Sequence, residues 1–140
     1  MTTYYLDTSI AVHALRGTRE AEAWFDEVTA HPQTALVSSR ILQVELTRVL
    51  RRDGLPVSSR ADVLRHVALL AVTESVLATA ESITEHVKTL DSLHLASAVQ
   101  LGGDTVVVSH DVSLLRVAGV LGLATLDPLG DHADRGPGQR

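Results

Sequence analysis

The stretch DTVVVSHD, residues 104–111, decides how the rest of the chain is read. Its three consecutive valines form an apolar, β-branched run without alternation, the pattern of a strand buried on both faces of a parallel sheet. It predicts a strand over 104–108, after which Asp111 opens a helix through residue 118. Parallel strands need crossover connections, so strands and helices should alternate on either side of this run. They do. Residues 3–6 form a β-rich run ending in Asp7-Thr8-Ser9, followed by short helices over 10–15 and 20–29. A second strand over 35–37 precedes Ser38 and Ser39. Residues 40–52 read as a strong helix with Ile41, Leu42, Leu46, Val49 and Leu50 on its apolar face. Gly54 and Pro56 break it, and 58–69 predicts a partner helix, so that 39–69 reads as a helical hairpin arm. A brief strand over 71–73 comes next, then a helix over 75–88 capped by Ser75 and turning Val76, Ala80, Ile83 and Val87 inward. A helix opened by Asp91 and ended by Gly102-Gly103, and a last strand over 123–126, complete the pattern. The fold class implied is α/β: a three-layer α/β/α sandwich with a central, mainly parallel sheet and a helical hairpin arm.

The chain has 140 residues, the length of one domain. We expect that domain to span 1–129 and to be followed by a polar, Gly/Pro-rich tail over 130–140 that does not order. The sequence has no cysteine, which removes disulfides, thiolate metal sites and cysteine nucleophiles together. The opening MTTYYLDTS lacks the basic and apolar regions of a secretory signal, and no apolar run approaches the ~20 residues of a membrane span. A cytoplasmic, soluble protein is expected. Net charge is −5, yet residues 40–65 hold six arginines, Arg40, Arg48, Arg51, Arg52, Arg60 and Arg65, against three acids. That stretch is +3 and the remainder −8, a distribution compatible with holding phosphates in one place and repelling them elsewhere. A solvated helical face explains the same run equally well.

In an open α/β sheet, ligands bind beyond the carboxyl ends of the strands. Asp7 and Asp111 each follow a strand and should share that edge, although either alone also reads as a cap or turn residue. Glu45 lies within or beside the apolar stripe of its helix, where an unpaired carboxylate is costly. It must be neutralised, bound to a cation, or paired with an arginine such as Arg48. Asp91 also faces inward, toward the side of Leu95 and Ala98, unless it serves only as an N-cap. His94, one turn on, can orient that carboxylate or a phosphate, or simply fill the interior. Four converging carboxylates suit a hard divalent cation, Mg²⁺ or Mn²⁺. The hydroxyls of Thr8, Ser9, Ser38 and Ser109 fall on the same edge, where they can hold water or phosphate oxygens. No Gly-rich phosphate loop, G-x-S-x-G elbow or H-E-x-x-H helix is present.

The runs YLDTS at 5–9, VEL at 44–46, LDSLHLASA at 90–98 and VVSHD at 107–111 together resemble the PIN-domain family, and within it the VapC toxins of bacterial toxin–antitoxin pairs. The resemblance covers roughly residues 3–127. It implies a PIN-like fold and a Mg²⁺- or Mn²⁺-dependent endoribonuclease that inhibits translation and growth by cutting RNA, tRNA or another structured RNA included. It implies metal binding at Asp7, Glu45, Asp91 and Asp111, with Ser9 and Ser109 assisting beside the metal. It further implies a homodimer and a VapB-like antitoxin that covers the site, the region 39–69 supplying dimer and antitoxin contacts. The RNA-binding arginines would be Arg40, Arg48, Arg51 and Arg52. Two other readings stand beside it. One is a catalytically silent protein- or RNA-binding module. The other is an aspartate-nucleophile phosphohydrolase, which usually wants a second acid where this chain has Ser9 and a lysine where it has only Lys88.

Overall fold

In a computed structural model that describes residues 1–130, five parallel strands form one sheet in the order β3-β2-β1-β4-β5. The strands are β1 (Thr2–Leu6), β2 (Thr34–Ser39), β3 (Ala68–Leu70), β4 (Thr105–Val108) and β5 (Ala124–Leu126). The expected tail over 130–140 lies, from residue 131 on, outside the described residues. Strand β4 pairs with the central strand β1, Tyr5 opposite Val107 and Leu6 opposite Val108. Successive side chains of a strand point to opposite faces, and here both faces are covered. Leu6 and Val108 join Leu36, Ile10, Phe25, Leu42 and Leu46 in one core cluster. Tyr5 and Val107 join Leu95, Leu114 and Val117 in another. This is the α/β/α sandwich expected, with a sheet that is parallel throughout.

Helices α1 (Thr8–Leu15), α2 (Arg19–Ala30) and α3 (Arg40–Arg52) serve the first cluster. Helices α6 (Thr89–Leu101) and α7 (Val112–Val120) serve the second, with α5 (Glu74–Ser82) packed on α6. The residues expected as a second long helix, 58–69, behave otherwise. Pro56 leads into a 3-10 turn (Val57–Arg60), a single turn of α4 (Ala61–Leu64) follows, and the chain then extends into β3. The reason is the open edge of β2. Val37, Ser38 and Ser39 gain ladder partners in Ala68, Leu69 and Leu70, which satisfies backbone groups that a longer helix would leave unpaired. The hairpin arm is therefore α3 with a short return, and Val63 and Val67 from that return sit in the core.

The strand expected over 71–73 is loop, and Thr73 rather than Ser75 caps α5 through a bond from the Val76 amide. Helix α5 stops at Ser82, because Ile83 and Val87 reach the second cluster from an extended segment instead of a helical one. Helix α6 begins two residues before Asp91, at Thr89. Asp91 is thus in the first turn and its carboxylate does not cap the helix. Among the described residues no helix is long and apolar enough to cross a membrane.

Candidate active site

Asp7 follows β1 and Asp111 follows β4, so neighbouring strands bring the two aspartates to one sheet edge. Both are indeed caps. Asp7 Oδ2 accepts from the Ser9 amide at 3.3 Å, from Ser9 Oγ at 2.7 Å and from Ser109 Oγ at 2.8 Å. Ser9 Oγ in turn accepts from the His110 amide, and Ser109 Oγ from the Asp111 amide. The two serines form a clasp between the β1–α1 and β4–α7 turns, and their hydroxyl hydrogens are spent on Asp7 rather than offered to phosphate. Ser38 donates to the Leu6 carbonyl. Asp111 Oδ1 accepts from the amides of Ser113 and Leu114. Capping uses one oxygen of each aspartate and leaves Asp7 Oδ1 and Asp111 Oδ2 without a protein donor among the described residues.

Glu45 enters from α3. Its expected partner, Arg48, is not its partner here. Glu45 Oε1 accepts from Thr8 Oγ1 at 2.5 Å and from His94 Nε2 at 2.7 Å. Burial pushes the Glu45 carboxyl upward, but the His94 and Thr8 hydrogen bonds outweigh it and hold the group below its ordinary range. Its Oε2 receives no bond from the described residues. His94 therefore orients Glu45 and not Asp91. Tyr5, whose hydroxyl lies 2.8 Å from His94 Nδ1, and Thr8 as a Glu45 donor are contributions that sequence spacing did not single out. The available signal was Tyr5 itself, on the strand that leads into Asp7 two residues on.

Asp91 completes the group. Its carboxyl is pushed up to about 6, first by burial and then by the charges of Asp7, Asp111 and Glu45, with His94 opposing. Each of the other three acids thus acts on Asp91. Among the described residues no group of three or more His, Asp or Glu side chains is placed so that it could hold a metal ion as it stands. The donor chemistry nevertheless fits a hard cation: the group is oxygen-only and like-charged, and Asp7, Glu45 and Asp111 each keep one oxygen without a donor among the described residues. Arg40, Arg48 and Arg51 lie four before, four after and seven after the exposed Val44, on one exposed stripe of α3. Arg52, seven residues after Glu45, contacts Asp53 at 3.2 Å.

With that geometry in place, the comparisons with known proteins are specific. Residues 4–120 match the sequence profile of the PIN domain. The chain is 32% identical over 132 residues to "Ribonuclease VapC46" of Mycobacterium tuberculosis, covering 91% of this chain and 99% of the relative. It is 29% identical over 131 residues to "Ribonuclease VapC35" of the same species, covering 89% and 96%. Its fold matches the crystal structure of VapBC2 from Rickettsia felis bound to a promoter DNA fragment, with a TM-score of 0.70, 14% identity, and 90% and 98% of the two chains covered. It likewise matches DNA-bound VapBC from Salmonella typhimurium, with a TM-score of 0.69, 18% identity, and 91% and 99% covered. The chain belongs to the PIN domain family.

Proposed function

We propose that this PIN-domain chain is a divalent-metal-dependent endoribonuclease, acting in the cytoplasm as the toxin of a toxin–antitoxin pair and inhibiting translation and growth. The observation that carries the reading is the buried and partly buried carboxylate group at the sheet edge, in which Asp7, Asp111 and Glu45 all oppose the charge of Asp91. The relatives named as ribonucleases give that group its substrate class. Asp7, Glu45, Asp91 and Asp111 would hold Mg²⁺ or Mn²⁺. When bound, such a cation supplies Lewis acidity to a phosphodiester and lowers the pKa of an attacking water. The chain's own part is orientation. The serine clasp fixes Asp7, the helix cap fixes Asp111, and Thr8 with His94 fixes Glu45. Ser9 and Ser109 thus assist through Asp7. An aspartate-nucleophile reaction fits poorly, since a serine donates to Asp7 two residues on and Lys88 precedes α6 on the exposed surface. The direct test is to map RNA cleavage by the parent and by Asp7→Asn, with and without Mg²⁺. Cleavage that persists equally in both would overturn the reading.

The basic helix α3 is the proposed RNA contact. Arg48 and Arg51 share one exposed stripe of α3. We expect Arg48→Ala together with Arg51→Ala to make the dependence of log K for RNA on log salt shallower by about 1.4, the value for two phosphate contacts on a single strand. An equal slope in parent and double variant would place the footprint elsewhere.

The antitoxin is assigned to a groove of about 210 Å³ between α1, α3 and the 3-10 turn, lined by Val12, Leu15, Val49, Leu50 and Leu55 and rimmed by Arg16 and Asp53. It suits the apolar anchor of an amphipathic partner segment. Leu55 is 49% exposed there. Leu55→Glu should weaken binding of the co-encoded partner by roughly 10- to 100-fold, the worth of one buried leucine. Cleavage by the free toxin should not change. Retained affinity in titration calorimetry would move the partner off this groove. A homodimer is part of the same proposal.

A further inference from the structure

Behind the acids runs a buried chain of side-chain hydrogen bonds. Tyr5 Oη lies 2.8 Å from His94 Nδ1, and His94 Nε2 lies 2.7 Å from Glu45 Oε1. Tyr5 and His94 are 1% and 2% exposed. The chain begins on β1 two residues before Asp7, crosses α6 three residues after Asp91 and ends on α3 at Glu45. It therefore links three separate elements, each of which delivers one acid to the site. A carboxylate oxygen can only accept, so Nε2 of His94 carries a hydrogen whatever the charge of the ring. When the ring carries a single hydrogen, Nδ1 accepts from the Tyr5 hydroxyl 2.8 Å away, which fixes that tautomer.

Packing alone does not account for this arrangement. His94 sits beside Leu95 and close to the cluster that holds Val107 and Ala98. An apolar residue there would avoid the cost of burying an imidazole and a phenol. The polar chain instead ends on a carboxylate that faces the site, with one oxygen engaged and the other open. Partners of this kind set the orientation of metal ligands and are commonly worth a factor of 10–100 in metal affinity.

We propose that Tyr5 and His94 are positioning residues that pin Oε1 of Glu45, so that Oε2 alone is presented to the cation in fixed register with Asp7 and Asp91. The inference rests on the metal-site reading of the proposed function. Its test is Mn²⁺ binding to the full chain, read by electron paramagnetic resonance of the free ion, together with the metal-free thermal midpoint. His94→Leu should weaken Mn²⁺ binding about tenfold or more. His94→Gln, whose amide N–H can reach Glu45, should restore most of that loss. Tyr5→Phe, which removes only the hydroxyl, should fall between them. Affinity within twofold of the parent in Tyr5→Phe and His94→Leu would overturn the proposal, as would a glutamine variant no better than leucine. If His94→Leu does not fold, Tyr5→Phe and His94→Gln decide: parental affinity in Tyr5→Phe overturns the proposal. A parent that binds no Mn²⁺ overturns the metal-site reading, and this inference with it.

Discussion

Asp7→Asn is expected to lower RNA cleavage by at least about 10³-fold, while the metal-free fold stays within about 1 kcal/mol of the parent. The two expectations have separate causes in one side chain. Asp7 Oδ2 accepts from Ser9 Oγ and Ser109 Oγ, and the asparagine oxygen can take over both bonds. The amide nitrogen then falls where Oδ1 was, and it turns two hydrogens toward the other acids. A cation cannot accept that group as a ligand. Losing a thousandfold in rate is about 4 kcal/mol of transition-state stabilisation, within what a metal at a phosphodiester supplies. The parent should gain about 2.7 kcal/mol of stability at Mn²⁺ one hundred times its Kd, visible as a rise of several degrees in thermal midpoint. Asp7→Asn should not show that rise. Asp7→Ala should differ from both, because it also leaves the serines of the clasp without an acceptor. With Asp7 only 4% exposed and Ser109 fully buried, that costs about 2–3 kcal/mol. A parent whose midpoint ignores Mn²⁺, or an asparagine variant that still cleaves, would remove Asp7 from the site.

How much of this was legible depended on the range of the interaction. The valines of β4 and the pattern of α3 are local signals, and the structure places α3 over Arg40–Arg52 as expected. Residues 58–69 carried a helical signal too, but the edge of β2 outweighed it: three residues of ladder recruited Ala68–Leu70 and shortened the helix. Glu45 stood out because it put charge in an apolar stripe. Its partner did not, because spacing on one helix suggests Arg48, whereas His94 lies 49 residues away. Ser109 reaches Asp7 across 102 residues, so its hydroxyl looked available for phosphate when tertiary structure had already engaged it. Asp91 was read as facing inward and also as a possible cap. A start of α6 two residues earlier removes the cap and leaves burial as the meaning of that position.

Asp91→Asn should make the metal-free protein more stable at neutral pH and remove RNA cleavage. The folded-state pKa of about 6 stands above the ordinary 3.8, raised first by burial and then by Asp7 and Asp111. The sign follows from linkage. A group whose pKa rises on folding contributes stability below its unfolded pKa, and that contribution is lost as pH climbs through the folded value. Between about pH 4 and pH 6 the ionising Asp91 therefore works increasingly against the fold. A shift of about two units corresponds to at most ~3 kcal/mol. Asp91 is only half-buried, so solvent screening reduces this to about 1–2 kcal/mol. Its place in the first turn of α6 favours negative charge by ~0.3–1 kcal/mol through the helix dipole, an opposing effect already outweighed in the raised pKa. Neutral asparagine escapes the penalty at every pH. The midpoint of Asp91→Asn should accordingly match the parent near pH 4 and pull ahead by several degrees by pH 7. Saturating Mn²⁺ should reverse the order, because the cation compensates the charge that the parent keeps and the variant lacks. A gap between parent and variant that does not change with pH would mean that Asp91 is not repelled by its neighbours. The case for a cation among them would then lose its electrostatic basis.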